Sequence, residues 1–253
     1  MIRRDVTWRW SDVEATTTAT ETQLRHRPSG AQLTVRAGRL LGGDGYINAD
    51  AVARRDLARV GASVRLRQKG RYLVHAAGVV DPWGRAWLLS GDSGAGKSTL
   101  AYALARAGWS VLGDDGVLIE VVGANVMAHP WKDPLNVSRA LAPDFPELHQ
   151  HAPRARLGDP RQRVPMALPL GRSAAVAAVI MLERAETHAV ASIGPLEALA
   201  VLIRQSPAVM IDDDYARAHL QTLTRAAALL CFRVHHTPAE LHTISTVLCD
   251  LLR

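Results

Sequence analysis

An α/β fold is predicted by three features of this sequence. Strand-like alternation of apolar and polar residues dominates the first third, and a glycine-rich loop then separates a strand from a helix. The remainder switches between short apolar runs and stretches of helical period. With 253 residues, 48% hydrophobic and 21% charged, the chain is long enough for one large domain with a sizeable core.

Taken in order, residues 1–30 are polar and Thr-rich, with Trp8 and Trp10 alternating in a short strand. Ala31 to Leu41 alternates as a half-buried strand would, and Gly42-Gly43-Asp44-Gly45 reads as a turn. Ala62 to Arg67 alternates again, with Val64 and Leu66 inward. Arg71 to Val80 and Arg85 to Leu89 read as strands around the turn Asp81-Pro82-Trp83-Gly84. After Ser98 the period becomes helical: Leu100, Ala103, Leu104 and Ala107 share a face, and Gly108 is a natural stop. Short strands are expected at Trp109–Leu112 and Val117–Val122, on either side of Gly113-Asp114-Asp115-Gly116.

The stretch from Ala128 to Pro169, rich in Pro, His and Arg, reads as irregular with short helices, the composition of a lid or an acceptor-binding segment. Ala174 to Leu182 is an apolar run suited to a buried strand, and Phe232 to His235 a shorter one. Helical period marks Pro195–Ile203, Tyr215–Leu230 and Pro238–Leu252. The organisation expected is a β-rich segment over residues 1–70 and a loop-bearing domain over residues 71–253, joined as one continuous unit.

Charge and composition narrow the function classes. The net charge of +6 comes from Arg scattered along the chain, densest from Arg54 to Arg71 and interrupted there by Asp56. That stretch reads as a solvated basic face or as a docking surface for an acidic partner. Nucleic acid is not an expected partner, because no helix-turn-helix, zinc-finger or aromatic RNA-binding signature accompanies the charge. No run approaches the ~20 apolar residues of a membrane helix, and the first residues lack an apolar signal core. A cytoplasmic protein is expected. Cys231 and Cys249 lie in apolar stretches without metal-ligand spacing and read as buried free thiols.

The strongest motif is Gly91-Asp92-Ser93-Gly94-Ala95-Gly96-Lys97-Ser98, followed by Thr99. It stands between the apolar run Trp87-Leu88-Leu89 and a helix, where a phosphate-cradling loop must stand. Glycines let successive backbone N–H groups turn toward one anion, and the helix N-terminus adds partial positive charge. Lys97 would reach the β- and γ-phosphates and the Ser98 hydroxyl would hold magnesium, so ATP with Mg²⁺ is the expected ligand pair. The second motif is Asp114-Asp115 on the very next strand. Beside a magnesium nucleotide, one carboxylate of such a pair can orient the metal while the other accepts a proton from an incoming hydroxyl. Ser98, Asp114 and Asp115 are therefore the candidate metal-facing residues.

Residues 73–120 resemble the catalytic domain of the HPr kinase/phosphorylase family, through Leu73-Val74-His75-Ala76, the loop itself and Gly108-Trp109-Ser110-Val111-Leu112-Gly113-Asp114-Asp115. The resemblance implies an HPr-kinase/phosphoenolpyruvate-carboxykinase-like P-loop fold, with Asp115 as proton acceptor and His75 as an active-site histidine. Pro169-Leu170-Gly171-Arg172 is similar to the family segment carrying an arginine near the phosphate, which implies that role for Arg172. The family's metal-binding glutamate has no match where this chain reads His129-Pro130-Trp131-Lys132-Asp133-Pro134, and its separate N-terminal domain is not matched. The chain is more similar to the shorter HPr-kinase-related kinases of peptide-biosynthesis clusters. That implies a serine kinase acting on a peptide or small protein, including lasso-peptide precursors, and homo-oligomers are common in the family. A small-molecule kinase of the same fold and a non-catalytic nucleotide sensor are the competing readings.

Overall fold

The computed structural model describes residues 6–10, 12–18, 20–131, 135–151, 153–156, 159–166, 168, 170–206, 208–209, 211, 214–237 and 248. Two compact units divide the chain. The first takes residues 1–73 and 206–223, and the second takes residues 74–205 and 224–253.

In the first unit, β1 (Val6–Trp10), β2 (Val13–Thr17), β3 (Glu21–His26), β4 (Gln32–Arg36) and β5 (Arg39–Gly42) form an antiparallel meander in sequence order. Alternation sets its two faces: Val13, Ala15, Leu24, Leu33 and Val35 point inward and are covered by helix α1 (Ala51–Arg67). Asp50 starts that helix by accepting the Ala53 N–H at 2.7 Å. Residues 31–41, expected as one strand, are a hairpin, because the chain reverses at Ala37-Gly38, where φ is 47° and 71°.

The expected strand at Ala62–Arg67 is the last part of α1. Six residues cannot separate a period of two from one of 3.6. Over the whole helix, Ala53, Leu57, Val60 and Val64 fall four, three and four apart on one buried stripe. Arg65 and Arg67 therefore lie in the last turn of a helix and not on a strand. Arg67 is buried, donating to the Ile211 carbonyl at 3.3 Å and placing Nε 3.5 Å from His219 Nδ1.

The segment read as one strand from Arg71 to Val80 is broken at His75-Ala76 into β6 (Tyr72–Val74) and β7 (Ala77–Val80). In the second unit β7 and β8 (Ala86–Ser90) form a hairpin whose turn is tied by Asp81. Its buried carboxylate accepts from the Trp83 and Arg85 N–H groups, the Arg85 guanidinium and the Trp87 indole. Helix α2 (Lys97–Arg106) follows, then β9 (Ser110–Gly113), β10 (Val117–Val122) and β11 (Asn125–His129).

The Ala128–Pro169 stretch is more ordered than its composition suggests. It contains β12 (Leu135–Ser138), two short 3-10 turns, β13 (Arg154–Arg156) and β14 (Asp159–Met166), paired in the order β12-β14-β13. Pro and Arg density hid that pairing, since ladder hydrogen bonds need only the backbone of alternate residues.

The centre of the second unit is β15 (Ala174–Arg184). It runs parallel to β8 on one side and parallel to β17 (Leu230–His236) on the other, while its first residues pair antiparallel with β11. Strand β16 (Ala189–Ser192) borders β17, and β7 and β9 extend the sheet beyond β8. Helices α3 (Pro195–Arg204) and α4 (Ala216–Ala227) complete the elements. Parallel strands joined through helices make this an α/β fold. Leu88, Leu89, Leu100, Leu104, Ile180 and Leu182 are fully buried in this unit. Cys231 is a buried free thiol, pushed up to about 11 by burial, whereas Cys249 and the expected helix from Pro238, Leu248 apart, lie outside the described residues. Among the described residues no helix is long and apolar enough to cross a membrane.

Candidate active site

The site grows from the C-terminal end of β8, where parallel strands of an α/β sheet usually present ligand groups. The chain leaves β8 at Gly91, whose φ is 140° and whose missing side chain is required. A Cβ there would sit 2.5 Å from the Leu182 carbonyl of the adjacent parallel strand. The loop turns through Gly94 and Gly96 and opens α2 at Lys97 with no side-chain cap. First-turn N–H groups without a side-chain partner, together with the helix dipole, favour an anion at that place.

Lys97 is buried, and its ammonium donates to the Gly91 carbonyl at 2.7 Å and the Asp92 carbonyl at 3.1 Å. Two carbonyls of its own loop therefore hold the cation across the loop. Asp92 and Ser93 are exposed at the loop tip, Ala95 is buried, and Ser98 and Thr99 are half-buried in the first turn of α2.

The acid pair meets this loop through Ser98. Its hydroxyl donates to Asp114 Oδ1 at 2.7 Å, and the Asn136 N–H donates to Oδ2 at 2.8 Å. Asp114 is fully buried. Burial first, and the negative charge of Asp115 second, push its carboxyl up to about 6, against the pull of its hydrogen bonds from Asn136, Ser98 and the Asp115 N–H. Asp115 is half-buried and has a left-handed backbone, φ 55°. The turn is tight because a Cβ on Gly113 would come within 2.5 Å of the Gly116 carbonyl and 2.8 Å of the Trp131 carbonyl.

His75 lies at the break between β6 and β7. Its Nδ1 donates to the backbone carbonyl of Asp115 at 3.1 Å, since a carbonyl can only accept. The structure thus gathers Lys97, Ser98, Asp114, Asp115 and His75 into one constellation. It does not join Arg172 to them: that side chain is exposed and hydrogen-bonds to no other described residue. Its segment is nonetheless docked on β9, with Leu170 bridging Val111 and the Gly171 N–H donating to the Val111 carbonyl at 2.7 Å. Lys132, Asp133, Pro134 and Pro169 lie outside the described residues.

Two residues of the site have no motif. Asn136 contributes its backbone N–H, which no sequence pattern marks. His236, fully buried at the end of β17, donates from Nε2 to the Ala95 carbonyl at 2.7 Å and so pins the loop from behind. The available signal for it was a polar pair, His235-His236, closing an apolar strand.

A magnesium ion fits this donor set. Mg²⁺ uses one or two carboxylates, keeps several waters and takes phosphate oxygens. Here a hydroxyl and a buried carboxylate already meet, and the protein alone leaves that carboxylate costly to charge. Among the described residues no three of His, Cys, Asp or Glu converge as a metal cluster.

No protein-family model matches the chain, and no curated protein was found similar to it. Among solved structures, the Hpr(Ser) kinase/phosphatase from Coxiella burnetii is similar at 12% identity, over 70% of this chain and 94% of that chain, with a TM-score of 0.38.

Proposed function

We propose that this chain is an ATP-dependent serine kinase, transferring the γ-phosphoryl group to the hydroxyl of a peptide or protein serine. The observation that carries the reading is the meeting of Ser98 and Asp114 at 2.7 Å beside Lys97, with Asp115 next in the chain. A loop that only bound phosphate would not need an acid pair fastened to its helix.

In this reading the loop amides and Lys97 take up the triphosphate, and the ammonium exchanges its carbonyl partners for phosphate oxygens. Ser98 and Asp114 would hold Mg²⁺, which supplies charge neutralisation at the phosphates when bound. Asp115 accepts the proton of the attacking hydroxyl, and His75, fixed on the Asp115 carbonyl, keeps that turn in place. Most of the acceleration comes from positioning and preorganised charge. Arg172 would act on the transferred group only if the acceptor carries the phosphate toward β9.

The peptide class of acceptor is supported by the resemblance to the shorter HPr-kinase-related kinases of peptide-biosynthesis clusters. The test is to incubate the protein with labelled ATP and magnesium, and offer either candidate precursor peptides or a panel of free hydroxyl metabolites. Label in a peptide, lost when its serine becomes alanine, is the expected result. Label confined to small molecules would replace the peptide by a metabolite, and nucleotide binding without any transfer would leave a sensor.

A further inference from the structure

Outside the constellation just described, three side chains of the second unit stand in a row, Ser173 hydrogen-bonded to His129 and Glu120 beside the far nitrogen of the ring. Ser173 Oγ lies 2.8 Å from His129 Nδ1, and His129 Nε2 lies 2.9 Å from Glu120 Oε2. We propose that Ser173 is a phosphoryl acceptor within this chain, with His129 taking its proton and Glu120 steadying the imidazolium. The proposal rests on the kinase reading for its usual phosphoryl donor.

The arrangement is set by backbone ladders rather than by loop rotamers. Leu118 pairs with His129 and Glu120 with Met127, so Glu120 and His129 are diagonal neighbours on one face of the β10–β11 pair. Ala128 pairs with Ala174 across β11 and β15, which sets Ser173 beside His129. The His129 side chain is 13% exposed and that of Glu120 25%, while Ser173 is open to solvent. An accessible hydroxyl on a largely covered imidazole backed by a carboxylate is the composition of an activated serine. The ring contact to Glu120 is close but off the line of the N–H, so its part is charge stabilisation of the protonated ring.

Two further features favour a phosphoryl over an acyl electrophile. Arg172, directly before Ser173, is exposed and available to a new phosphate. The segment carrying both residues is docked on β9 through Leu170 and Gly171, and β9 leads straight into Asp114-Asp115. In the step itself, Ser173 Oγ forms the new bond to the γ-phosphorus while the bond from that phosphorus to the departing ADP oxygen breaks. The hydroxyl proton passes to His129 Nδ1. The nucleotide belongs to the same molecule or to a second copy.

The experiment has two arms on the full chain. The first incubates it with ATP and magnesium and maps phosphate by mass spectrometry. The second uses a fluorophosphonate, whose P–F bond needs no nucleotide site. Expected are phosphoserine at 173, absent from Lys97→Ala, and fluorophosphonate labelling of Ser173 that falls by roughly 10²-fold or more in His129→Gln. Phosphate on a peptide substrate with none on Ser173 overturns this proposal and leaves the kinase reading standing. Fluorophosphonate labelling that depends on His129, with no nucleotide bound, keeps the acceptor and removes the kinase reading. Labelling equally slow in wild type and His129→Gln overturns His129 as the base, and with no phosphate on Ser173 in the first arm it overturns the acceptor as well. Ser173 is exposed, so Ser173→Ala serves as a folded control for both arms.

Discussion

The hydroxyl of Ser98 donates to the carboxylate of Asp114 at 2.7 Å, fastening the first turn of α2 to the end of β9. Without a cation beside it, burial and Asp115 hold the Asp114 carboxyl up near 6. An ion arriving with a nucleotide would lower that cost and keep the carboxylate charged. Replacing Asp114 by Asn is expected to weaken the magnesium dependence of nucleotide binding while leaving magnesium-free binding nearly unchanged. Titrations of ATP with and without magnesium, followed by calorimetry, measure both.

Lys97 is the cation that spans the loop. Lys97→Ala removes a charged donor whose hydrogen bonds are each worth about 1.5–3 kcal/mol, so ATP affinity should fall by roughly tenfold or more and transfer should stop. Unchanged affinity in the variant would show that the triphosphate is held elsewhere.

Asp115→Asn separates chemistry from binding with little backbone penalty. Asn tolerates the left-handed conformation that Asp115 adopts at φ 55°, but it cannot take a proton. The transfer rate should drop on the order of 10²–10⁴-fold, with ATP affinity barely changed. Near wild-type turnover would pass the role of base to another group.

Asp81 is a stability prediction. Its buried carboxylate satisfies two backbone N–H groups, the Arg85 guanidinium and the Trp87 indole N–H. Asp81→Ala leaves those donors without their partner at the turn that delivers β8 to the loop, and should cost about 2–4 kcal/mol. Urea unfolding of the two proteins at neutral pH gives the difference. A loss below 0.5 kcal/mol would be inconsistent with this role.

His219 supplies a pH dependence. It is buried, stacked on Tyr72 with ring centroids 4.4 Å apart, and faces the Arg67 cation. Burial first and Arg67 second lower it to about 3, well below the ordinary value of 6.5. The folded form therefore keeps the ring neutral, while the unfolded chain takes up a proton below pH 6.5. The stability is fully present above that value and is lost as pH falls toward 3, at about 1.4 kcal/mol per pH unit. His219→Phe should flatten the slope of unfolding free energy between pH 6.5 and 4.5 relative to wild type. Parallel slopes in the two proteins would refute the assignment.

Much of this protein is legible in its sequence because the signals are local. Glycines at the loop, an apolar run before it, an Ala- and Leu-rich helix after it and two aspartates just past the next strand all lie between Trp87 and Asp115. Their meaning depends on near-neighbour backbone geometry and side-chain chemistry. Only the tertiary structure could decide that the end of α1 is helix rather than strand, that Arg67 is buried, and that β12, β13 and β14 pair. It also brought His236 onto a loop carbonyl 141 residues away, and the Asn136 N–H onto Asp114. Those outcomes are set by ladder pairing and burial between segments far apart in the chain, and no window of sequence carries the energy of contacts made outside it.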